Sequence, residues 1–141
     1  MNWDYWNKAA NMTKNTVSFT LLVNSHESAI EFYVRKLRLF EVESDHGTDS
    51  NRLVSLRLKS CCDCFTLVLC EGSTSPELKE PVGCQSGSVT MLTLPVVDIS
   101  TIEARIAEAN IEVIRRYELP YAEYVMIRDP FGNKIDLVEM F

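Results

Sequence analysis

The chain has 141 residues, 46% of them apolar and 24% charged, and a formal net charge of −6 at pH 7, which fits one soluble domain with its own hydrophobic core. Its only basic cluster, Arg35, Lys36 and Arg38, suits the end of a helix better than a phosphate patch, and an acidic chain with no other grouped Lys and Arg does not suit nucleic acid. No window approaches the roughly 18 apolar residues of a membrane span, and Met1 to Lys14 lacks the apolar core of a signal peptide, so a cytoplasmic protein is expected, with its five cysteines reduced and, being odd in number, not a disulfide framework.

Residues 1–16 read as a polar N-terminal extension carrying Trp3, Tyr5 and Trp6, spaced to lay aromatic rings on the main body. Val17 to Val23 alternates as a strand, with Phe19, Leu21 and Val23 on one face. Asn24 with Glu27 has the form of a capping box, and Ala29, Ile30, Tyr33 and Leu37 keep the spacing of a buried helical stripe. Phe40 to Glu43, Leu53 to Lys59 and Cys64 to Glu71 follow as strands, the first two separated by a polar loop, Ser44 to Asn51. Residues 72–87, rich in Ser, Pro and Gly, read as a linker.

The pattern then restarts. Val89 to Val96 is predicted as a strand with Leu92, Leu94 and Val96 on one face and Met91, Thr93 and Pro95 on the other, Pro95 suiting an edge. Asp98 or Ser100 offers the next helix cap, Ile102, Arg105, Ile106 and Ala109 its face, and Asn110 its stop. Ile111 to Arg116 and Glu123 to Arg128 read as strands. The last hairpin turns on Asp129-Pro130-Phe131-Gly132-Asn133, where proline presets φ and Gly132 can take a positive value. In the strand that follows, Ile135 and Leu137 share one face, and Asp136 lies on the other.

Strand, helix and three strands are thus written twice: module one over 17–71 and module two over 88–141, within a single domain 17–141. Setting Val23 on Val96 and Thr66 on Asp136 brings apolar helix-facing residues of one half onto apolar residues of the other.

With its hairpin of the form Asp-Pro-x-Gly-Asn-x-hydrophobic-acid, and with Val23-Asn-Ser-His-Glu-Ser-Ala-Ile-Glu-Phe-Tyr33 opening module one, the duplicated unit resembles the vicinal oxygen chelate superfamily. That group comprises glyoxalase I, extradiol dioxygenases, methylmalonyl-CoA epimerase and the fosfomycin and bleomycin resistance proteins. The resemblance implies an α+β fold of two tandem βαβββ modules forming a curved mixed sheet around a cleft, and a homodimer. It also places the metal positions of the family's enzymes at Ser18, Thr66, Met91 and Asp136, on the concave face. A hydroxyl pair and a thioether do not replace His or carboxylate donors, so no metal and no cofactor are expected. His26, at a helix start, and His46, in a loop, are expected in solvent.

The concave set implied by the resemblance, Ser18, Thr20, Leu22, Thr66, Val68, Met91, Thr93 and Asp136, mixes apolar and hydroxyl groups as a small-molecule pocket does. Tyr117, Tyr121 and Tyr124 offer rings to a flat or cationic ligand, or alternatively to sheet packing or a dimer contact. Cys61-Cys62-Asp63-Cys64 contains a Cys-x-x-Cys, but the second pair a zinc knuckle needs is absent. The expected ligand-binding residues are Asp136, Ser18, Thr20, Thr66, Met91, Thr93, Tyr121 and Tyr124. The function expected is binding, and sequestration in the manner of antibiotic resistance proteins, of a small cationic or aromatic compound, without nucleic-acid or membrane partners. A metal-dependent lyase, isomerase or dioxygenase, and a regulatory subunit with a filled cavity, are the alternatives.

Overall fold

A computed structural model describes residues 17–48, 52–60, 65–72 and 76–141. The chain forms two compact units, Met1–Val82 and Gly83–Phe141, the division falling inside the stretch read as a linker. Trp3, Tyr5 and Trp6, whose rings the sequence lays on the main body, and the Cys-x-x-Cys of Cys61 to Cys64 lie outside the described residues.

In the first unit, β1 (Val17–Val23) leads to α1 (His26–Ile30), which runs on into a wider π-helical stretch, Glu31–Lys36. Strands β2 (Phe40–His46), β3 (Leu53–Leu58) and β4 (Phe65–Glu71) follow, then a short α2 (Pro76–Lys79). The sheet order is β1-β4-β3-β2, β1 running parallel to β4 and the other pairs antiparallel. The helical stripe lies as the spacing predicts: Ala29, Tyr33 and Leu37 are fully buried. The Tyr33 ring meets Phe32 and Phe40 edge-on at 4.9 and 5.6 Å, a geometry that aligns ring edges with ring faces. Each such side chain contributes about 1.5–3 kcal/mol by leaving water.

The second unit repeats the plan with β5 (Leu92–Pro95), α3 (Ile99–Glu108), β6 (Val113–Leu119), β7 (Ala122–Arg128) and β8 (Lys134–Met140), in the order β5-β8-β7-β6. Ile99, Ile102 and Ile106 of α3 are buried, as are Leu94, Val125, Ile127, Ile135 and Leu137 of the sheet. The helical stretch that begins with α1, and α3, are each followed by a left-handed residue, Arg38 at φ 59° and Asn110 at φ 54°. Asn110 was the predicted stop, asparagine being among the residues that tolerate this conformation.

Several local expectations shift. The cap of α1 is Ser25, whose side chain accepts from Ser28 N at 3.3 Å, one residue beyond the predicted Asn24. Asp98 caps α3, its carboxylate accepting from Ser100 N and the Thr101 hydroxyl, both at 3.0 Å. β2 extends to His46 through pairing with β3, so Ser44 to His46 are strand rather than loop. β5 is limited to Leu92–Pro95 because only those residues pair with β8 as a continuous ladder.

Matching contacts fix how the modules correspond. Glu71 Oε1 accepts the backbone N–H of His26 at 3.0 Å, and Glu139 Oε1 that of Ile99 at 2.8 Å. Strands β2 and β6 each carry a bulge, between Val42 and Ser44 and between Val113 and Arg115. In module one Val68 lies between Thr20 and Ser55; in module two Asp136 lies between Thr93 and Met126. Asp136 therefore corresponds to Val68, two residues along from the Thr66 with which the sequence was superposed. A slip of two leaves every side chain on its own face, so strand alternation cannot detect it.

Candidate functional site

Alternation along β5 to β8 puts two rows of side chains on the sheet face away from α3. One row runs Arg115, Met126, Asp136, Thr93; the next runs Tyr117, Tyr124, Val138, Pro95. The bulge in β6 sets this arrangement, since the extra residue brings Arg115 and Tyr117 onto the same face as Asp136.

Asp136 is 7% exposed. Its Oδ2 accepts from the Thr90 hydroxyl at 3.2 Å, whereas its Oδ1 is buried without a hydrogen-bond partner. An ionised carboxyl group can accept about four hydrogen bonds, so a buried carboxylate with one donor is held well short of its capacity. Beside it, Tyr117 and Tyr124 stack at 4.5 Å with ring planes 6° apart, and the Arg115 guanidinium lies 4.6 Å from the centre of the Tyr117 ring. Burial first, and the Asp136 charge second, push the Tyr117 phenol above its ordinary range, against the opposing effect of Arg115. The face thus combines a poorly satisfied anion with a fixed aromatic stack, a pairing that can receive a cation or a flat ring.

The predicted residues divide. Asp136, Thr93 and Tyr124 share this face, and Met91 adjoins it, its N–H bonded to Lys134 O at 2.8 Å. Tyr121 does not join them: it sits in the β6–β7 turn, 55% exposed, its carbonyl accepting from Phe141 N. Ser18, Thr20 and Thr66 are on the sheet of module one, where Ser18 pairs with Thr66. The Thr66 hydroxyl is buried and donates to Glu43 at 3.4 Å.

Sequence reasoning missed Thr90 and Arg115. Thr90 lies before β5 in an irregular segment, where alternation carries no signal. Arg115 was discernible only as the alternate neighbour of Tyr117. His26 corrects an expectation as well: far from being solvated, it is 4% exposed, with Nδ1 2.9 Å from Glu71 Oε1 and Nε2 buried without a hydrogen-bond partner. At the first turn of α1 the side chain points inward, onto a position that module two fills with Ile99. His46, by contrast, is exposed, at the end of β2.

Around Asp136 the neighbouring donors are the hydroxyls of Thr90 and Thr93 and the Met126 thioether. Protein sites for divalent ions are built from several carboxylate or imidazole groups, whereas the neighbours of Asp136 on this sheet supply hydroxyl and thioether groups. Among the described residues no three His, Cys, Asp or Glu side chains are grouped to hold an ion.

Comparison with known proteins agrees with the fold. Residues 16–137 match the family model of the Glyoxalase/Bleomycin resistance protein/Dioxygenase superfamily. TnmS3, an antibiotic binding protein from Streptomyces sp. CB03234, is 26% identical and superposes with a TM-score of 0.71 over 89% of this chain and 95% of its own. A glyoxalase/bleomycin resistance protein from the same organism is 27% identical, with a TM-score of 0.68 over 86% and 97%. An uncharacterized protein of Shewanella frigidimarina (strain NCIMB 400) is 26% identical over 130 residues, 92% of this chain and 96% of its own. The repeated sheets, the matched caps and the family match converge, and the chain belongs to the Glyoxalase/Bleomycin resistance protein/Dioxygenase superfamily.

Proposed function

We propose that the protein binds and sequesters a small, flat, cationic or aromatic compound, with Asp136 as its anion and the Tyr117–Tyr124 stack as its aromatic wall. The observation that carries this is the buried Asp136 oxygen without a partner, on the same sheet face as the stacked rings. An unsatisfied buried carboxylate oxygen costs on the order of 1–3 kcal/mol, and a ligand ammonium would relieve that cost. The antibiotic-binding neighbour, at 26% identity, supports a small-molecule ligand. Thr93 and Met91 would contact the same ligand.

Binding is proposed to need no metal, since the donors beside Asp136 are hydroxyl and thioether. Stoichiometric metal in protein grown with excess zinc, nickel or manganese would instead favour a lyase, isomerase or dioxygenase. The working form is proposed as a cytoplasmic homodimer, which light scattering would register as twice 16.1 kDa.

The test is a fluorescence titration with proflavine, a planar aromatic cation, and acridone, a neutral analogue. Asp136→Asn should weaken proflavine at least tenfold while leaving acridone within about twofold, because a lost charge-assisted hydrogen bond contributes roughly 1.5–3 kcal/mol. Equal losses for both compounds, or no binding of either, would overturn the reading.

A further inference from the structure

We infer that the segment from Gly83 to Met91 is a latch on the Asp136 carboxylate, and that a cationic ligand reaches Asp136 by displacing it. This rests on the ligand-binding reading above, but it concerns how the site opens rather than what it takes.

The segment is clamped at both ends. A Cβ at Gly83 would stand 1.8 Å from the Phe131 carbonyl oxygen, so its backbone is pressed against the β7–β8 turn. At the other end Met91 N bonds Lys134 O at 2.8 Å. Between the clamps, two side-chain hydrogen bonds hold the later half to β8: Lys134 Nζ donates to Ser88 O at 2.8 Å, and Thr90 donates to Asp136 at 3.2 Å. Gly87, at φ 66°, has open space where a Cβ would be, and Ser88 and Val89 are exposed.

Asp136 Oδ1 has no accessible surface to offer a ligand, so binding requires that something beside it move. The strands are held by ladder hydrogen bonds on their paired sides. Tyr117 is fixed between Arg115 and Tyr124. The later half of the segment keeps its own turn, Gly87 N bonding Cys84 O and Val89 N bonding Ser86 O, and is tied to β8 by the Lys134–Ser88 and Thr90–Asp136 bonds, whose loss leaves the sheet ladder intact. Moving it frees the second carboxylate oxygen at the same time, which gives the ligand both acceptors.

Hydrogen exchange on the ligand-free protein tests the latch without any ligand. Amides of residues 84–90 should exchange at least tenfold faster than those of β7 and β8, and Thr90→Val and Lys134→Ala should each accelerate them further. Protection equal to that of β7 and β8 overturns the latch.

Stopped-flow mixing with proflavine supplies the second readout. Thr90→Val should raise the association rate at least threefold, and Asp136→Asn should abolish that gain. If Asp136→Asn weakens proflavine but Thr90→Val leaves its association rate unchanged, the latch is wrong and the binding reading stands. If Asp136→Asn has no effect on proflavine, the binding reading fails and the latch fails with it.

Discussion

Glu139 on β8 accepts the backbone N–H of Ile99 at 2.8 Å, tying the last strand of module two to the first residue of its helix. The first N–H groups of a helix have no partner within it, and an anion placed there also meets the positive end of the helix dipole. Glu71 repeats the contact to His26 in module one. The carboxylate thus fixes where each helix starts over its sheet.

Glu139→Ala should lower the unfolding free energy by about 1 kcal/mol, the usual cost of losing a helix cap, whereas Glu139→Gln, which keeps an acceptor oxygen, should lose less than half of that. Urea denaturation followed by circular dichroism reads both. An alanine variant as stable as the parent would show the contact to be incidental.

Asp129 is a stronger anchor. Its Oδ1 accepts from Phe131, Gly132 and Asn133 N at 2.8–2.9 Å, and its Oδ2 from Asn133 Nδ2 at 2.8 Å. It is 4% exposed. Asp129→Ala would leave buried donors unpaired, at a cost of about 3 kcal/mol. In a thermal melt this should appear as a loss of well over 5 °C.

Asp136→Val copies the residue that module one carries at the corresponding position. It removes a buried, poorly satisfied anion, so stability should hold or rise by about 1 kcal/mol while proflavine binding falls. A variant that unfolds more readily than the parent would assign Asp136 a structural role instead.

Tyr117 supplies a pH signature. Its phenol is raised above the ordinary value by burial and by the Asp136 charge. Near pH 10 tyrosine ionises in the unfolded chain while folded Tyr117 keeps its proton. The folded state then binds more protons, so stability is fully present below pH 10 and falls as pH rises until the folded phenol itself ionises. Tyr117→Phe should flatten that fall, and Asp136→Asn should lower the phenol's titration point followed at 295 nm.

Two glycines separate close packing from backbone strain. Gly83→Ala meets the Phe131 carbonyl as well as a positive φ, whereas Gly87→Ala meets only the positive φ. The first should cost more than 2 kcal/mol and the second about 1 kcal/mol. Equal losses in urea would show that the Gly83 contact is relieved by a small shift of the turn.

The sequence by itself determined the elements and their duplication. Alternation assigned Ile135 and Leu137 to the core and Asp136 to the opposite face, and the 3, 4 spacing buried Tyr33 and Leu37. These signals are local, and each residue carries its own evidence. What only the tertiary structure decided is how the strands slide against one another. Because side chains repeat every two residues, a slip of two is silent in the pattern, and only the hydrogen-bond ladder and the Glu71 and Glu139 contacts matched Asp136 with Val68. The inward turn of His26, the bulge that aligns Arg115 with Tyr117, and the approach of Thr90 to Asp136 across 46 residues likewise depend on chain segments meeting in space, where no local periodicity reaches.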